Sequence, residues 1–213
     1  MEGMRYLGYA LLLLGCYLAG CINLSYLIAR KAAGVDLRRV GSGNLGASNL
    51  STQMGKGVAA VAFFTDCGLE AAAILVMRAV NAGPIWQAAA GLAVIVGHNW
   101  PFYLRFQGGR GMAMALTGTL ILMPYEGLLL TAFLALGVFT RHTAEMNLLG
   151  LLLVPFAAWL LGRPGGVLFF AVAVVVLTVL RRLQGSPGLE MRRLRDDPRR
   201  VLVSRLIYDR EVP

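Results

Sequence analysis

The chain has 213 residues, 57% hydrophobic and 15% charged, with a mean hydropathy of +0.66. A soluble domain carries about 25% charged residues, so this balance excludes an ordinary soluble globular protein. The formal charge of +9 sits in loops and the C-terminal tail. Anionic lipid headgroups and membrane orientation account for it there, and nucleic acid is not an expected partner.

Apolar runs near the length that crosses a bilayer recur along the chain. They predict an all-α, polytopic integral membrane protein of about seven transmembrane helices. Residues 1–184 form a helical membrane domain and residues 185–213 a basic cytoplasmic tail. Cys16, Cys21 and Cys67 all lie inside apolar segments, where cysteine behaves as a small hydrophobe. No disulfide, metal site or cofactor is expected.

The first span covers about residues 4–28. Leu18-Ala19-Gly20-Cys21 matches a lipoprotein cleavage box. The n-region is weak, with Glu2 beside Arg5, and the apolar run continues to Ile28, so a retained span is expected. Arg30, Lys31, Arg38 and Arg39 follow and mark that end as cytoplasmic, which places the N-terminus outside.

Residues 41–49 read G-S-G-N-L-G-A-S-N. Gly41, Gly43 and Gly46 permit tight turns and close approach of backbone N–H groups to a ligand. Ser42, Asn44, Ser48 and Asn49 add uncharged hydrogen-bonding groups. Such a loop beside arginines points either to a site for a phosphorylated molecule or to a polar interhelical turn.

A second span covers about residues 57–80 and carries Asp66 and Glu70 on one helical face. Carboxylates at membrane depth face a bundle interior or an aqueous cavity, and the alternative is a structural tie to an arginine of another helix. A third span, about residues 85–96, ends in Gly97-His98-Asn99-Trp100-Pro101. His98 there reads as a hydrogen-bonded interface residue or as a catalyst.

Residues 105–111 read R-F-Q-G-G-R-G and lead straight into an apolar segment at 112–123. Gly108, Gly109, Gly111 and Arg110 at a helix start repeat the logic of the first loop, and the bland reading is a flexible turn with a topogenic arginine. The segment 112–123 is short enough to be tilted or partly interfacial. Further apolar segments follow at 127–139, 148–161 and 167–180, with Thr140-Arg141-His142 between the first two. Arg181 and Arg182 hold the last one inside, and the tail beyond 185 is basic with interspersed acids.

With these motifs in place, the chain resembles the bacterial acyl-phosphate:glycerol-3-phosphate acyltransferase family over about residues 20–185. The residues that carry the resemblance are Asp36-Leu37-Arg38 before G-S-G-N-L-G-A-S-N, then G-H-N-W-P at 97–101, G-G-R-G at 108–111, and Arg141. The sequence departs from the family pattern at Leu69, where a lysine is usual, and at Cys21-Ile22-Asn23, where Ser-Ile-Pro is usual. Ala144 and Asn147 stand in a region of serines, Thr178 and Pro187 replace Asn and Glu, and Arg110 replaces Lys.

The resemblance implies transfer of a fatty acyl group from acyl phosphate to the 1-hydroxyl of glycerol 3-phosphate, giving lysophosphatidate and phosphate. It implies a multi-pass protein of the bacterial plasma membrane, with the active-site loops on the cytoplasmic side. His98, Arg110, Ser42 and Asn44 are the expected catalytic residues. Arg38, Gly41, Gly43, Gly46, Asn49, Asp66, Gly108, Gly109, Gly111 and Arg141 are the expected substrate-binding residues. Expected partners are acyl phosphate, glycerol 3-phosphate and membrane lipids. The alternatives are a non-catalytic relative that binds phosphorylated ligand or lipid, and a small transporter with an ion path at Asp66 and Glu70.

Overall fold

The computed structural model describes residues 2–184 and 198–208. The elements are α1 (Glu2–Cys21), α2 (Leu24–Ala33), a 3-10 turn (Leu37–Arg39), α3 (Ala47–Met54), α4 (Lys56–Ala79) and α5 (Pro84–Asn99). A second 3-10 turn (Phe102–Leu104) leads to α6 (Met112–Leu122), α7 (Pro124–Thr140), α8 (Thr143–Leu160) and α9 (Gly165–Gln184). After residues outside the described set come α10 (Pro198–Val203) and a π-helical turn (Ser204–Tyr208). The protein is all-α, as the apolar segments require.

Four units are long and apolar enough to cross a membrane: Glu2–Ala33, Lys56–Ala79, Thr143–Leu160 and Gly165–Gln184. The helix α6 has 11 residues, which advance about 16 Å, roughly half the hydrocarbon thickness. Its expected shortness is real.

The first span is not one helix. It breaks at Ile22-Asn23, because Asn23 caps α2, its Oδ1 accepting from the Tyr26 N–H at 2.8 Å. The Tyr103 hydroxyl donates to the Cys21 carbonyl at 2.8 Å and so satisfies a helix-end acceptor released by the break. Gly34, left-handed at φ 67°, closes α2.

Lipid tails are as apolar as leucine, so close packing rather than water exclusion joins these helices. Small residues supply it. A Cβ at Gly20 would strike the Val94 carbonyl, and one at Gly97 would strike the Tyr17 carbonyl, so α1 and α5 touch backbone to backbone. Likewise a Cβ at Gly127 would lie 2.6 Å from the Leu120 Cα across α6 and α7. The outward face of α1, with Leu7, Leu11, Leu14 and Leu18, stays exposed and suits a lipid environment.

Two clusters form the core. The larger runs through α4, α5, α6, α8 and α9 around Phe170. The smaller joins Ala29, Leu37, Leu45, Leu50, Ala59, Ala62 and Leu104. It fastens the glycine loop and α3 onto α2 and α4. The leucines at 37, 45 and 50 have no exposed surface, so the loop is anchored at both ends.

Glu126 and Arg163 lock the α6–α7 and α8–α9 connections, Nε to Oε1 at 2.7 Å and Nη2 to Oε2 at 2.9 Å. Residues 198–208 pack on α8 and α9, through Arg182 Nη1 to the Leu206 carbonyl and Arg205 Nη1 to the Leu183 carbonyl. That part of the expected tail belongs to the bundle. Residues 185–197 and 209–213, with Gly185 and Pro187 among them, lie outside the described residues.

Candidate active site

The glycine loop folds around one side chain. Asn49 accepts from the Ser42 N–H at 3.3 Å and donates to the carbonyls of Leu37, Val40 and Asn44 at 3.0–3.1 Å. Its carboxamide is therefore the spine of the turn and is 2% exposed. Gly41 and Gly43 take left-handed φ values of 56° and 68°, and Gly41 leaves no space for a Cβ against the Asn49 Oδ1. The turn delivers Gly46 as the N-cap of α3, with no side-chain cap on its first N–H groups.

The second glycine loop folds back on α5. The Gly108 and Gly109 N–H groups donate to the carbonyls of Asn99 and His98 at 3.1 and 3.0 Å. Arg181 donates to the Gly109 and Gly108 carbonyls through Nε at 3.0 Å and Nη2 at 2.8 Å. The expectation that these two N–H groups are open to a phosphate is corrected here. The C-terminal carbonyls of α5 need donors, and the glycines provide them. Gly111, left-handed at φ 65°, then opens α6 with no side-chain cap.

Both helix starts border one cleft of ≈ 440 Å³. Ser42, Asn44, Gly46, Ala47 and Ser48 line it from the first loop, and Arg110, Gly111, Met112 and Ala113 from the second. Asp66, His98 and Arg141 complete the expected set. The structure thus brings together Ser42, Asn44, Gly46, Asp66, His98, Arg110, Gly111 and Arg141. Asn49, Gly108 and Gly109 are buried behind the lining as framework, and Gly41 and Gly43 are turn residues that do not line it. Arg38 lies elsewhere: it is bidentate to Asp36, Nε at 2.9 Å and Nη2 at 2.7 Å, and borders a separate concavity. That pairing holds the Asp36 carboxyl below its ordinary range, chiefly through the hydrogen bonds from Arg38.

Two helix N-termini and the guanidinium groups of Arg110, Arg141 and Arg182 bring positive charge to the cleft, which the carboxyl side chains of Asp66 and Glu145 also line. A region of this kind binds anions through backbone N–H groups and fixed charge together. His98 is 2% exposed, with Nδ1 3.8 Å from Asp66 Oδ1 and Nε2 against Gly109. Neither Asp66 nor Glu70 is tied to an arginine among the described residues. Asp66 faces the histidine, while Glu70 is fully buried against Gly91, Gly118 and Phe170.

The sequence profile of the glycerol-3-phosphate acyltransferase family matches residues 10–185. The chain belongs to that family. A glycerol-3-phosphate acyltransferase of Rubrobacter xylanophilus is 38% identical over 180 residues, covering 84% of this chain and 89% of the relative. One of Geotalea daltonii is 34% identical over 194 residues, covering 89% and 95%. A crystal structure of PlsY, an integral membrane glycerol 3-phosphate acyltransferase in its glycerol 3-phosphate form, superposes with a TM-score of 0.76 at 28% identity. That superposition covers 93% of this chain and 94% of PlsY. This acyltransferase-family chain is accordingly a multi-pass integral membrane protein.

Besides Ser48 of the first loop, five polar cleft residues lie outside the expected site set: Thr143, Glu145, Asn147, Arg182 and Tyr208. Arg182 reads with Arg181 as a topogenic arginine, and the fold brings it to the cleft. Tyr208 carried no signal, because only the fold returns the tail to the cleft.

Proposed function

We propose that this chain transfers a fatty acyl group from acyl phosphate to the 1-hydroxyl of glycerol 3-phosphate. The observation that carries this reading is the convergence of two uncapped helix starts and of Arg110 and Arg141 on one cleft. Two phosphorylated substrates need two anion-binding elements, and both face the same space. Among the family relatives, PlsY structures in glycerol 3-phosphate and lysophosphatidic acid forms share this fold.

In the proposed reaction, the 1-hydroxyl oxygen attacks the acyl carbonyl carbon. The bond from that carbon to the phosphate oxygen breaks, and phosphate leaves with the bonding pair. The hydroxyl proton passes to a phosphate oxygen, so products are lysophosphatidate and inorganic phosphate with no protein nucleophile. The catalytic contribution is then positioning and charge stabilisation.

Arg110, with the α6 start, holds one phosphoryl group. Arg141, Ser42 and Asn44, with the α3 start, hold the other. His98 is enclosed between Asp66 and Gly109, which supports a role in holding the 108–111 loop beside the reacting groups. The orientation that follows from the arginine bias puts the N-terminus outside, the C-terminus inside and the cleft on the cytoplasmic face of the bacterial plasma membrane. Seven passes, by α1 and α4–α9, fit that orientation, with the short α6 starting from the cleft partway into the membrane.

The test compares donors. Purified protein in lipid, given glycerol 3-phosphate, is offered acyl phosphate or an acyl thioester of the same chain. Lysophosphatidate and stoichiometric phosphate from acyl phosphate alone are expected. Turnover with the thioester would move the donor assignment. Binding of both phosphate compounds without turnover would favour a non-catalytic relative, with Ala144 and Asn147 in the cleft as its basis.

A further inference from the structure

A second concavity, of ≈ 470 Å³, is bordered by Tyr26, Arg38, Arg39, Tyr103, Arg105 and Gln107 and shares no residue with the catalytic cleft. Its walls come from three chain segments, α2, the Leu37–Arg39 turn and the loop after α5. Asp36 is bidentate to Arg38 and offsets its charge, while the Arg38 guanidinium lies 5.3 Å from the Tyr26 ring centre. Arg39 and Arg105 are exposed, and neither makes a hydrogen bond or ion pair to the described residues. The concavity therefore carries the exposed positive charges of Arg39 and Arg105 on separate chain segments, beside the Asp36-paired Arg38, which favours an anion.

Its height on the molecule narrows the choice of anion. The Tyr103 hydroxyl bonds the last residue of α1, Cys21. That helix has 20 residues, about 30 Å, the thickness of the hydrocarbon layer. Tyr103 thus lies about one hydrocarbon thickness along α1 from Glu2, at the end that Arg30, Lys31, Arg38 and Arg39 follow. Phe102, Tyr103 and Phe106 are all exposed beside Arg105, and aromatic rings in that position settle at the membrane interface. A soluble anion gains nothing from them. A phospholipid sets its phosphate between the arginines and its glycerol and upper acyl carbons along the rings.

We propose that Arg39 and Arg105 bind the headgroup phosphate of an anionic bilayer phospholipid in this concavity. The site is independent of the catalytic cleft, so it stands or falls apart from the proposed reaction.

The experiment is native mass spectrometry of the full-length protein in detergent, titrated with phosphatidylglycerol or phosphatidylcholine. Phosphatidylglycerol binds more tightly, and Arg39→Gln with Arg105→Gln weakens it about thirtyfold, as the loss of two interfacial arginines does. The melting temperature in detergent is unchanged in that variant and certifies its fold. Excess inorganic phosphate does not displace the lipid. Equal binding of the two lipids to the wild-type protein would overturn the proposal, as would undiminished binding to the double variant. Displacement by inorganic phosphate would assign the site to a soluble anion instead.

Discussion

Gly109→Ala tests how the second glycine loop is held. A Cβ at this position would lie against Nε2 of His98 and 2.7 Å from its Cδ2. The imidazole cannot retreat easily, being 2% exposed with Asp66 on its other side. Nor can the loop, because its N–H groups bond the α5 carbonyls and its own carbonyls bond Arg181. Overpacking of a well-packed site costs about 1–3 kcal/mol. If the loop yields instead, Arg110 moves with it, and a displacement of about 1 Å at a positioning residue lowers turnover about a hundredfold.

The assay pairs initial rates of phosphate release with thermal unfolding in detergent. Gly57→Ala is the control, since a Cβ there meets nothing within 4 Å. A helical glycine-to-alanine change of that kind stabilises by about 0.5–1 kcal/mol. A Gly109→Ala protein with wild-type rate and wild-type melting temperature would refute the account of this loop.

Asn49→Ala removes the four hydrogen bonds that fold the first loop, each worth about 1 kcal/mol. It should lower thermal stability and turnover together. Ser42→Ala, which removes a cleft hydroxyl and keeps the backbone N–H that bonds Asn49, should change steady-state kinetics with melting unchanged. Arg163→Ala strips the partner from the fully buried Glu126 carboxylate and should cost about 1–3 kcal/mol, read as a fall in melting temperature that Glu126→Gln partly reverses in the double variant. The Asp36 carboxyl is held low by Arg38, so its contribution to stability is complete above an unfolded carboxyl value of about 4 and is lost as pH falls through its lower folded value. Melting of the wild type and Asp36→Asn should therefore differ at neutral pH and converge below about pH 4.

Helical segments and both glycine loops are legible in the sequence because hydropathy and glycine spacing act locally. The break after Cys21 was missed: Asn23 is a strong helix cap, but the unbroken apolar run to Ile28 masks it. What the loops do with their N–H groups was not legible. Gly108 and Gly109 look like ligand donors until the α5 carbonyls are placed beside them. The same holds for Asn49, whose partners lie 5 to 12 residues away. Glu126 and Arg163 are 37 residues apart and meet only because two hairpins close on the same side.

In the proposed reaction Arg110 and the two helix starts hold the phosphoryl groups during acyl transfer. The decisive assay is turnover of acyl phosphate and glycerol 3-phosphate by the wild-type protein and by Arg110→Ala, side by side in lipid. Lysophosphatidate and phosphate are expected from the wild type, and loss of both in a folded Arg110→Ala protein. Full activity in the variant would remove Arg110 from the reaction.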